Sequence, residues 1–544
     1  MNTRTPIQSH HGTLGGAVVR LLLVLAFVAS GACLNAADRP NILYIFTDDQ
    51  SFRSVSCYPG AYDHVHTPNI DALAEAGVRF DQAYTGAKCV PSRASQLTGR
   101  LQYACVKGLP EIMEEEERRG KSYYRDNPDA QPSPKQDRWW PATLRDNGYY
   151  TAMIGKFHWG AGAEAHQHGI AWDWSRIWDH GAYAAAGGYY YDQFIMIDGQ
   201  PQVPLEGYST DRYTEFTIEF IKERASEDKP WYMWLAYAGV HGPYTPADRH
   251  KELYLDQPPV KVPVDVFGPR PGKPDHMQGS KWKEGKDGMP TMKGQTLDFL
   301  VKQQDQAVAS IDEGVGRIVE ALRETGQLEN TIIVFTSDQG YVWGHHGQKG
   351  KINPYVDAIK SPLIISNPKR FPQGKVCMSP VNGVDLVRTF HAWAETEPDE
   401  SYMPLTGRDI TPLCREPESA DLFKEWNKFP TMMTYTRNSY DPYQIARRLK
   451  FKQFNIMTYG KNPYYFMILD GNYKYTRHLA ADCIEELYQV HDDFDELDNL
   501  AVKPEYQDKL IEMRAQLEKA IIHHAPGEGG KLIVEYLPEP KMAY

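Results

Sequence analysis

Three short stretches of the chain carry side chains whose types and spacing could do chemistry. In GAKCVPSRASQLTGR, residues 86–100, Cys89 stands two residues before Pro91 and four before Arg93, in sequence that reads as the start of a helix. Taken alone, such a cysteine is a buried or a reactive thiol. Asp48 and Asp49 follow one apolar run, and Asp338 and Gln339 follow another. Three carboxylates and an amide oxygen form a hard, all-oxygen donor set that suits Ca²⁺ or Mg²⁺, whereas zinc would want His or Cys. A lone Asp-Asp is more often a solvated loop or a helix cap; two acidic pairs, each at a strand end, tip the reading toward a metal.

The elements around these residues must bring them together. NILYIFT (41–47), WYMWLAYA (231–238) and TIIVFTSDQG (331–340) are short apolar runs rich in strand formers, the pattern of strands buried on both faces. TPNIDALAEAG (67–77) has a Thr cap, a Pro in the first turn and a closing Gly, and a long helical stretch runs from about Thr296 to Glu324. Strands alternating with helices predict an α/β fold with a large mixed, mostly parallel sheet flanked by helices, whose functional residues gather at the carboxyl ends of strands. Both acidic pairs stand at such ends. Segments 108–138, 160–200 and 256–294 interrupt the rhythm and read as surface insertions, and the EEEERR run in the first as a solvated helical face. After about Glu418 the pattern becomes strands without intervening helices (TMMTYTRN, YYFMILD, YKYTRHL, EELYQV), then a helix near 504–523. The domains expected are a catalytic α/β domain over 38–418 and a smaller C-terminal antiparallel α+β domain over 419–544.

The 544 residues carry a formal charge of −12, which excludes a global nucleic-acid footprint. Tyr and Trp, at 34 and 12, fit aromatic surfaces for a sugar as well as they fit extra core aromatics. Arg4 and Arg20 precede the apolar run 21–28 and a small-residue stretch, so residues 1–37 read as a secretory signal peptide cleaved between Ala32 and Ala37. Cys33 raises a lipoprotein alternative, against which Ser30 stands where a lipobox has Leu. The run is too short to span a bilayer and no later segment could, so the mature protein is expected to be exported, periplasmic or extracellular, with no membrane span. Cys57, Cys89, Cys105, Cys377, Cys414 and Cys483 are widely spaced and lack a CxxC pair, which excludes a small disulfide framework and leaves room for one or two bridges.

The stretch Cys-Val-Pro-Ser-Arg, followed by Leu97-Thr98-Gly99-Arg100, resembles the signature of the type I sulfatases of the alkaline-phosphatase superfamily. RPNILYIFTDDQ resembles the first strand and metal pair of that family, and the segment leading to the signature is similar as well. NGYYTAMIGKFHWG resembles the stretch with a paired Lys and His, here Lys156 and His158. YAGVHGPYTP resembles the one with a His near the leaving group, here His241. TSDQG and GKINPYVDAIKSPLII resemble the second metal pair and the segment with a substrate Lys, here Lys351, and IEELYQVHDDFDELDNLA the closing strand and turn. The resemblance implies that Cys89 is oxidised by a formylglycine-generating maturation enzyme to formylglycine (3-oxoalanine), and that Asp48, Asp49, Asp338 and Gln339, with residue 89, hold Ca²⁺ or Mg²⁺. It further implies that Arg93, Lys156 and Lys351 neutralise the sulfate, that a hydroxyl of the hydrated aldehyde attacks sulfur, that His241 protonates the leaving oxygen, and that His158 helps collapse the enzyme-bound sulfate.

Gln339 stands where the family more often has Asn, Val356 replaces a frequent Glu and Lys360 a frequent Arg, while Tyr355 keeps its place four residues after Lys351. Lys349, two residues before Lys351, is an alternative for its role. His345 and His346 match no motif closely and could line the pocket; Thr98 and Arg100 are expected to support the helix of Cys89. Among 18 histidines a random one is usually a surface or satisfied core residue, and His158 and His241 stand out only by position. The function expected is hydrolysis of sulfate esters of a sugar or polysaccharide. The alternatives are a phosphonate monoester hydrolase or phosphodiesterase of the same superfamily, and a non-catalytic glycan-binding relative, against which the intact set of site residues stands.

Overall fold

The computed structural model describes Met1 and residues 39–105, 139–158, 168–179, 188–400, 404–437 and 439–541. The signal-peptide reading, Cys33 and the EEEERR run lie outside the described residues.

The large sheet has ten strands: β1 Asn41–Thr47, β2 Gly77–Phe80, β3 Tyr150–Lys156, β4 Trp174–Trp178, β5 Gln193–Ile197, β6 Val203–Leu205, β7 Trp231–Ala236, β8 Thr331–Ser337, β9 Leu363–Ser366 and β10 Lys375–Cys377. Their spatial order is β10-β2-β9-β8-β1-β7-β3-β4-β5-β6. The five central strands β8, β1, β7, β3 and β4 are parallel; the pairs β8–β9, β9–β2, β4–β5 and β5–β6 are antiparallel, and β10 closes one edge parallel to β2. This is the mixed, mostly parallel sheet expected from the sequence.

β1 shows why the sheet is covered on both sides. Its alternate residues Ile42, Tyr44 and Phe46 enter one core with Ala94, Leu97, Val387 and Phe390, while Leu43 and Ile45 enter the other with Phe220, Ile311, Val315 and Ile318. The period-two alternation of a strand sends successive side chains to opposite faces, so both sets must be apolar. Helices α1 Cys89–Thr98 and α2 Gly383–Trp393 supply the first layer, and α3 Ser209–Arg224 and α4 Leu297–Glu324 the second. In the helix Pro68–Glu75, Thr67 makes no side-chain cap bond; its hydroxyl donates to the Asp71 carboxylate at 3.1 Å.

Register fixes what emerges at the carboxyl edge. Thr47 lies opposite Ser337, Phe46 opposite Ala236, and Gly155 opposite Ala236, so Asp48 and Asp338 leave adjacent strands at one level, and Lys156 ends β3, beyond β7, one residue below it.

The C-terminal region is a four-stranded antiparallel sheet of Thr431–Tyr435, Tyr465–Leu469, Tyr473–His478 and Glu486–Gln489, in that order. The helix Gln507–His524 packs its Leu510, Met513 and Leu517 into a core with Phe466 and Ile468. The expectation of strands without helices between them needs correction. The helix Pro442–Lys450 intervenes, started by the Asp441 carboxylate accepting from the Tyr443 amide, with Pro442 in the first turn and Ile445 and Leu449 one turn apart on the buried face.

Candidate active site

Cys89 opens helix α1 and is buried, as are all residues from Pro91 to Thr98. Gly99 closes the helix at φ +67°, in the left-handed region that glycine occupies without a side-chain penalty. The N-terminal turn of α1 adds partial positive charge beside Sγ.

The groups expected from the sequence meet around that sulfur. Sγ lies 3.2 Å from Asp48 Oδ1 and 3.9 Å from Asp49 Oδ1, and Lys351 Nζ approaches it to 2.8 Å. Lys351 also donates to both oxygens of Asp49, at 2.6 and 2.9 Å. Arg93 reaches Asp338 Oδ2 through two nitrogens, at 3.2 and 3.1 Å, and donates to the Lys156 carbonyl at 2.5 Å. Lys156 is buried in an ion pair with Asp48, and Asp338 Oδ1 accepts from the Asp49 amide at 3.0 Å. Asp49 holds φ +61° and His158 φ +54°, backbone strain of the kind that collects at functional sites.

Charge crowding sets the protonation states. Burial and the neighbouring Asp48 charge push the Asp338 carboxyl up, while Asp48, despite its burial, is held well below the usual range by Lys156, His241 and Arg93. Burial and Asp48 push the Cys89 thiol up to about 12, so the unmodified cysteine is a protonated thiol at neutral pH and a poor nucleophile. His158 lies within electrostatic reach of Lys156, Asp48, Arg93 and Lys351, and burial followed by Lys156 keeps its ring neutral.

His241 follows β7. Its Nδ1 bonds the Gly242 carbonyl at 2.7 Å, which assigns the proton to Nδ1 and turns Nε2 toward Asp49 Oδ2 at 3.7 Å. Burial lowers its pKa against the opposing pull of Asp49.

Ligand atoms of Asp48, Asp49, Cys89 and Asp338 all lie within 4.8 Å of one another. Although each is paired with Lys156, Lys351 or Arg93, these three buried carboxylates converge as a hard, all-oxygen donor set, and that chemistry fits a hard divalent ion. Gln339 presents Nε2 to Asp49 and, at 3.4 Å, to Cys89, while its Oε1 accepts from Ser92 at 3.4 Å. Serving as a ligand requires the amide to turn end for end, which exchanges its two similar ends in place.

Tyr189 escaped the sequence reading. Its ring stacks on His241 at 4.1 Å and 3°, and its hydroxyl stands 3.5 Å from both His241 Nε2 and Lys156 Nζ. Segment 160–200, expected as a surface insertion, carries β4 and β5 of the large sheet, and its run of three tyrosines was the only signal for Tyr189. His345 and His346 serve elsewhere: His345 Nδ1 pairs with Asp357 at 2.7 Å, and His346 Nδ1 bonds Asp265 at 2.7 Å. The Lys349 ammonium stands over the Trp343 ring and makes no bond to Cys89, so Lys351 is the lysine at the sulfur. Thr98 donates to the Ala94 carbonyl within α1. The six described cysteines are free thiols.

The sulfatase family model matches residues 40–396. The N-acetylglucosamine-6-O-sulfatase of Bacteroides thetaiotaomicron is 27% identical, over 92% of this chain and 90% of that protein. The human N-sulphoglucosamine sulphohydrolase is also 27% identical, over 92% of each chain. A protein solved in complex with its substrate D-glucosamine-2-N,6-O-disulfate superposes with a TM-score of 0.70 at 23% identity, over 91% of this chain and 99% of that one.

Proposed function

This chain belongs to the sulfatase family and is a sulfuric ester hydrolase, and from that premise we propose that it removes sulfate from a glycosaminoglycan-type sugar through residue 89. The observation that carries the reading is the meeting of three carboxylates and three cations, Arg93, Lys156 and Lys351, around the Cys89 sulfur. Supporting the substrate class are the amino-sugar sulfates named for the relatives.

The residues fit both groups that the family implies. A divalent ion, Ca²⁺ or Mg²⁺, held by Asp48, Asp49, Asp338 and a turned Gln339 would supply Lewis-acid polarisation of the sulfate. Oxidation of Cys89 to formylglycine by a maturation enzyme would supply the nucleophile, a role for which the protonated thiol is unsuited. The remaining work falls to the chain. Arg93, fixed by Asp338 and the Lys156 carbonyl, and Lys156, fixed by Asp48, are preorganised positive charges that need no rearrangement as charge grows on the sulfuryl oxygens. Lys351 is less enclosed and carries its ammonium to the sulfur itself, where it can hold the sulfate of an incoming ester. His241 is held by its Nδ1 bond and by the Tyr189 ring, and its Nε2 gives a proton to the leaving sugar oxygen from the imidazolium form, which the Asp49 and Asp48 charges favour against burial. His158 is a neutral base beside Lys156. Export through residues 1–37 to the periplasm or medium completes the proposal; it is supported by the charged, apolar and small-residue order of that segment.

Protein co-expressed with a maturation enzyme should release sulfate from glucosamine 6-sulfate, and the tryptic peptide containing residue 89 should carry an aldehyde in place of the thiol by mass. Full turnover by protein whose residue 89 is an unmodified thiol overturns the nucleophile. A matured enzyme that prefers a phosphodiester to every sulfate ester overturns the substrate.

A further inference from the structure

Beside the cluster, Lys349 makes no ion pair with a carboxylate among the described residues. Its ammonium stands 4.8 Å from the centroid of the Trp343 ring and 5.4 Å from that of Tyr244. The short pairing of Val342–Trp343 with Lys349–Gly350 places Lys349 directly opposite Trp343. Tyr244 belongs to the turn of His241: its amide donates to the His241 carbonyl at 3.2 Å, and its ring lies so close to Gly242 that an added Cβ there would come within 3.2 Å of Cζ. Asp49 and Lys351 both act on the Tyr244 hydroxyl through space. One tyrosine ring therefore separates the catalytic cluster from the Lys349 ammonium.

The insertion 256–294 adds more positive charge at the same place. Lys281 Nζ donates to the Lys349 carbonyl at 3.2 Å, and the Trp282 indole donates to the Gln348 carbonyl at 2.8 Å, so the insertion is clipped to this hairpin. Burial and then the exposed Lys293 of the same insertion push the Lys349 ammonium down. In a chain of net charge −12, an ammonium set on the Trp343 and Tyr244 rings, with Lys281 on its own carbonyl and no ion pair to a described carboxylate, is a departure from the average surface. A half-buried ammonium costs free energy; the aromatic faces offset part of it, and an arriving anion would offset the rest.

We propose that Lys349, with Lys293 and Lys281, forms a second anion subsite that takes another sulfate or a carboxylate of the same glycan while its scissile sulfate occupies the Cys89 cluster. The inference rests on the sulfatase reading above. It makes the substrate a sugar carrying at least two anionic groups.

The test compares kcat and KM of the matured enzyme and of Lys349→Ala, Lys349→Arg and Lys293→Ala. Four substrates are used: 4-nitrophenyl sulfate and glucosamine 6-sulfate with one anion each, glucosamine-2-N,6-O-disulfate, and a uronate-linked disaccharide bearing one 6-sulfate. The wild type should favour at least one two-anion substrate by roughly tenfold or more in kcat/KM, the scale of one hydrogen bond to a charged group. Lys349→Ala should erase that preference mainly through KM and stay within about twofold on 4-nitrophenyl sulfate, while Lys349→Arg should retain it. Lys293→Ala, an exposed change with little bearing on folding, should weaken the preference in the same direction. The favoured substrate tells whether sulfate or carboxylate fills the subsite. Equal losses on the aryl sulfate and the two-anion sugars, or a preference that survives Lys349→Ala, overturns the subsite, as does a wild type that turns over 4-nitrophenyl sulfate with no preference for a second anion. A wild type that releases sulfate from none of the four overturns the sulfatase reading itself.

Discussion

Two of the buried charge groups of the protein are built differently. Around Cys89, Asp48, Asp49 and Asp338 crowd one another, with ligand atoms no more than 4.8 Å apart. At the joint between the α/β domain and the C-terminal sheet, Glu486 and Glu496 each have a private shell. Glu486 accepts from the Tyr355 hydroxyl at 2.6 Å, from Tyr488 at 2.7 Å, and bonds His478 at 2.7 Å. Glu496 pairs with Lys474 and accepts from the Val356 amide at 2.8 Å, and Lys273 joins the two by donating to the Tyr488 hydroxyl and the Glu496 carbonyl. Within each group the pKa directions split: burial and Asp48 raise Asp338 while Lys156 overcomes burial to hold Asp48 low, and the donors on Glu486 overcome its burial and hold it below the usual range. Glu496 is raised by burial, but what surrounds it is cations and an amide, not a second carboxylate. Buried charge that satisfies itself is architecture; buried like charge that crowds is a site waiting for an ion and an anion.

Removing the ion should break the first group and leave the second intact. Chelation is expected to abolish sulfate release, and Ca²⁺ or Mg²⁺ to restore it, because the ion would supply the Lewis acid that polarises the sulfate, which the lysine and arginine partners of the three carboxylates do not replace. At a hundredfold excess over Kd the ion should also stabilise the fold by about 2.7 kcal/mol, since it binds only the folded arrangement. Calorimetry with and without Ca²⁺ reads this gain, which Asp338→Asn should lose. Full turnover in chelated protein rules the metal site out.

A smaller effect separates His241 from the charges around it. A sugar alcohol leaves poorly without a proton, whereas nitrophenolate leaves readily, and general acid catalysis is worth about 10²–10⁴-fold. His241→Ala should lose on that order in kcat on a sugar sulfate and clearly less on 4-nitrophenyl sulfate, while Lys351→Ala should impair both more evenly. Equal losses for the histidine variant would move the proton to another group, with Lys351 the nearest candidate.

What could be read from the chain follows from how local each signal is. Asp48 and Asp338 each end an apolar run, and a parallel register brings run-ends to one level, so their convergence was legible, whereas Lys156 was found only through the resemblance of NGYYTAMIGKFHWG. Tyr189 was not: it is one of three consecutive tyrosines, and only the fold shows which ring stacks on His241. The helix Pro442–Lys450 carried its cap and its Pro in plain sight but is nine residues long, too short to stand out among strands. The joint was illegible for a deeper reason. Lys273 in an insertion, Tyr355 after the lysine loop and Glu486 in a C-terminal strand share no periodicity, and only tertiary packing makes them partners.

That joint supplies the prediction with the least effect on turnover. Glu486→Gln keeps most of the shape but removes the charge that His478, Tyr355 and Tyr488 address, and breaking one side of a buried charged network typically costs about 3–5 kcal/mol, less where the replacement still accepts hydrogen bonds. Since no atom of this network reaches Cys89 by a hydrogen bond, kcat per folded molecule should hold near the wild-type value while the urea midpoint falls. The pH dependence carries the same signature. The folded-state pKa of Glu486 lies below the unfolded value of about 4.3, so its contribution is complete above that pH and is lost progressively as pH falls toward the folded value. The wild type should therefore lose stability on acidification more steeply than Glu486→Gln, and the gap between their urea midpoints should narrow below about pH 4. A gap that stays constant from neutral to acid pH would mean that Glu486 is held by shape alone, and a fall in kcat to match the fall in stability would mean that joint and site are one network.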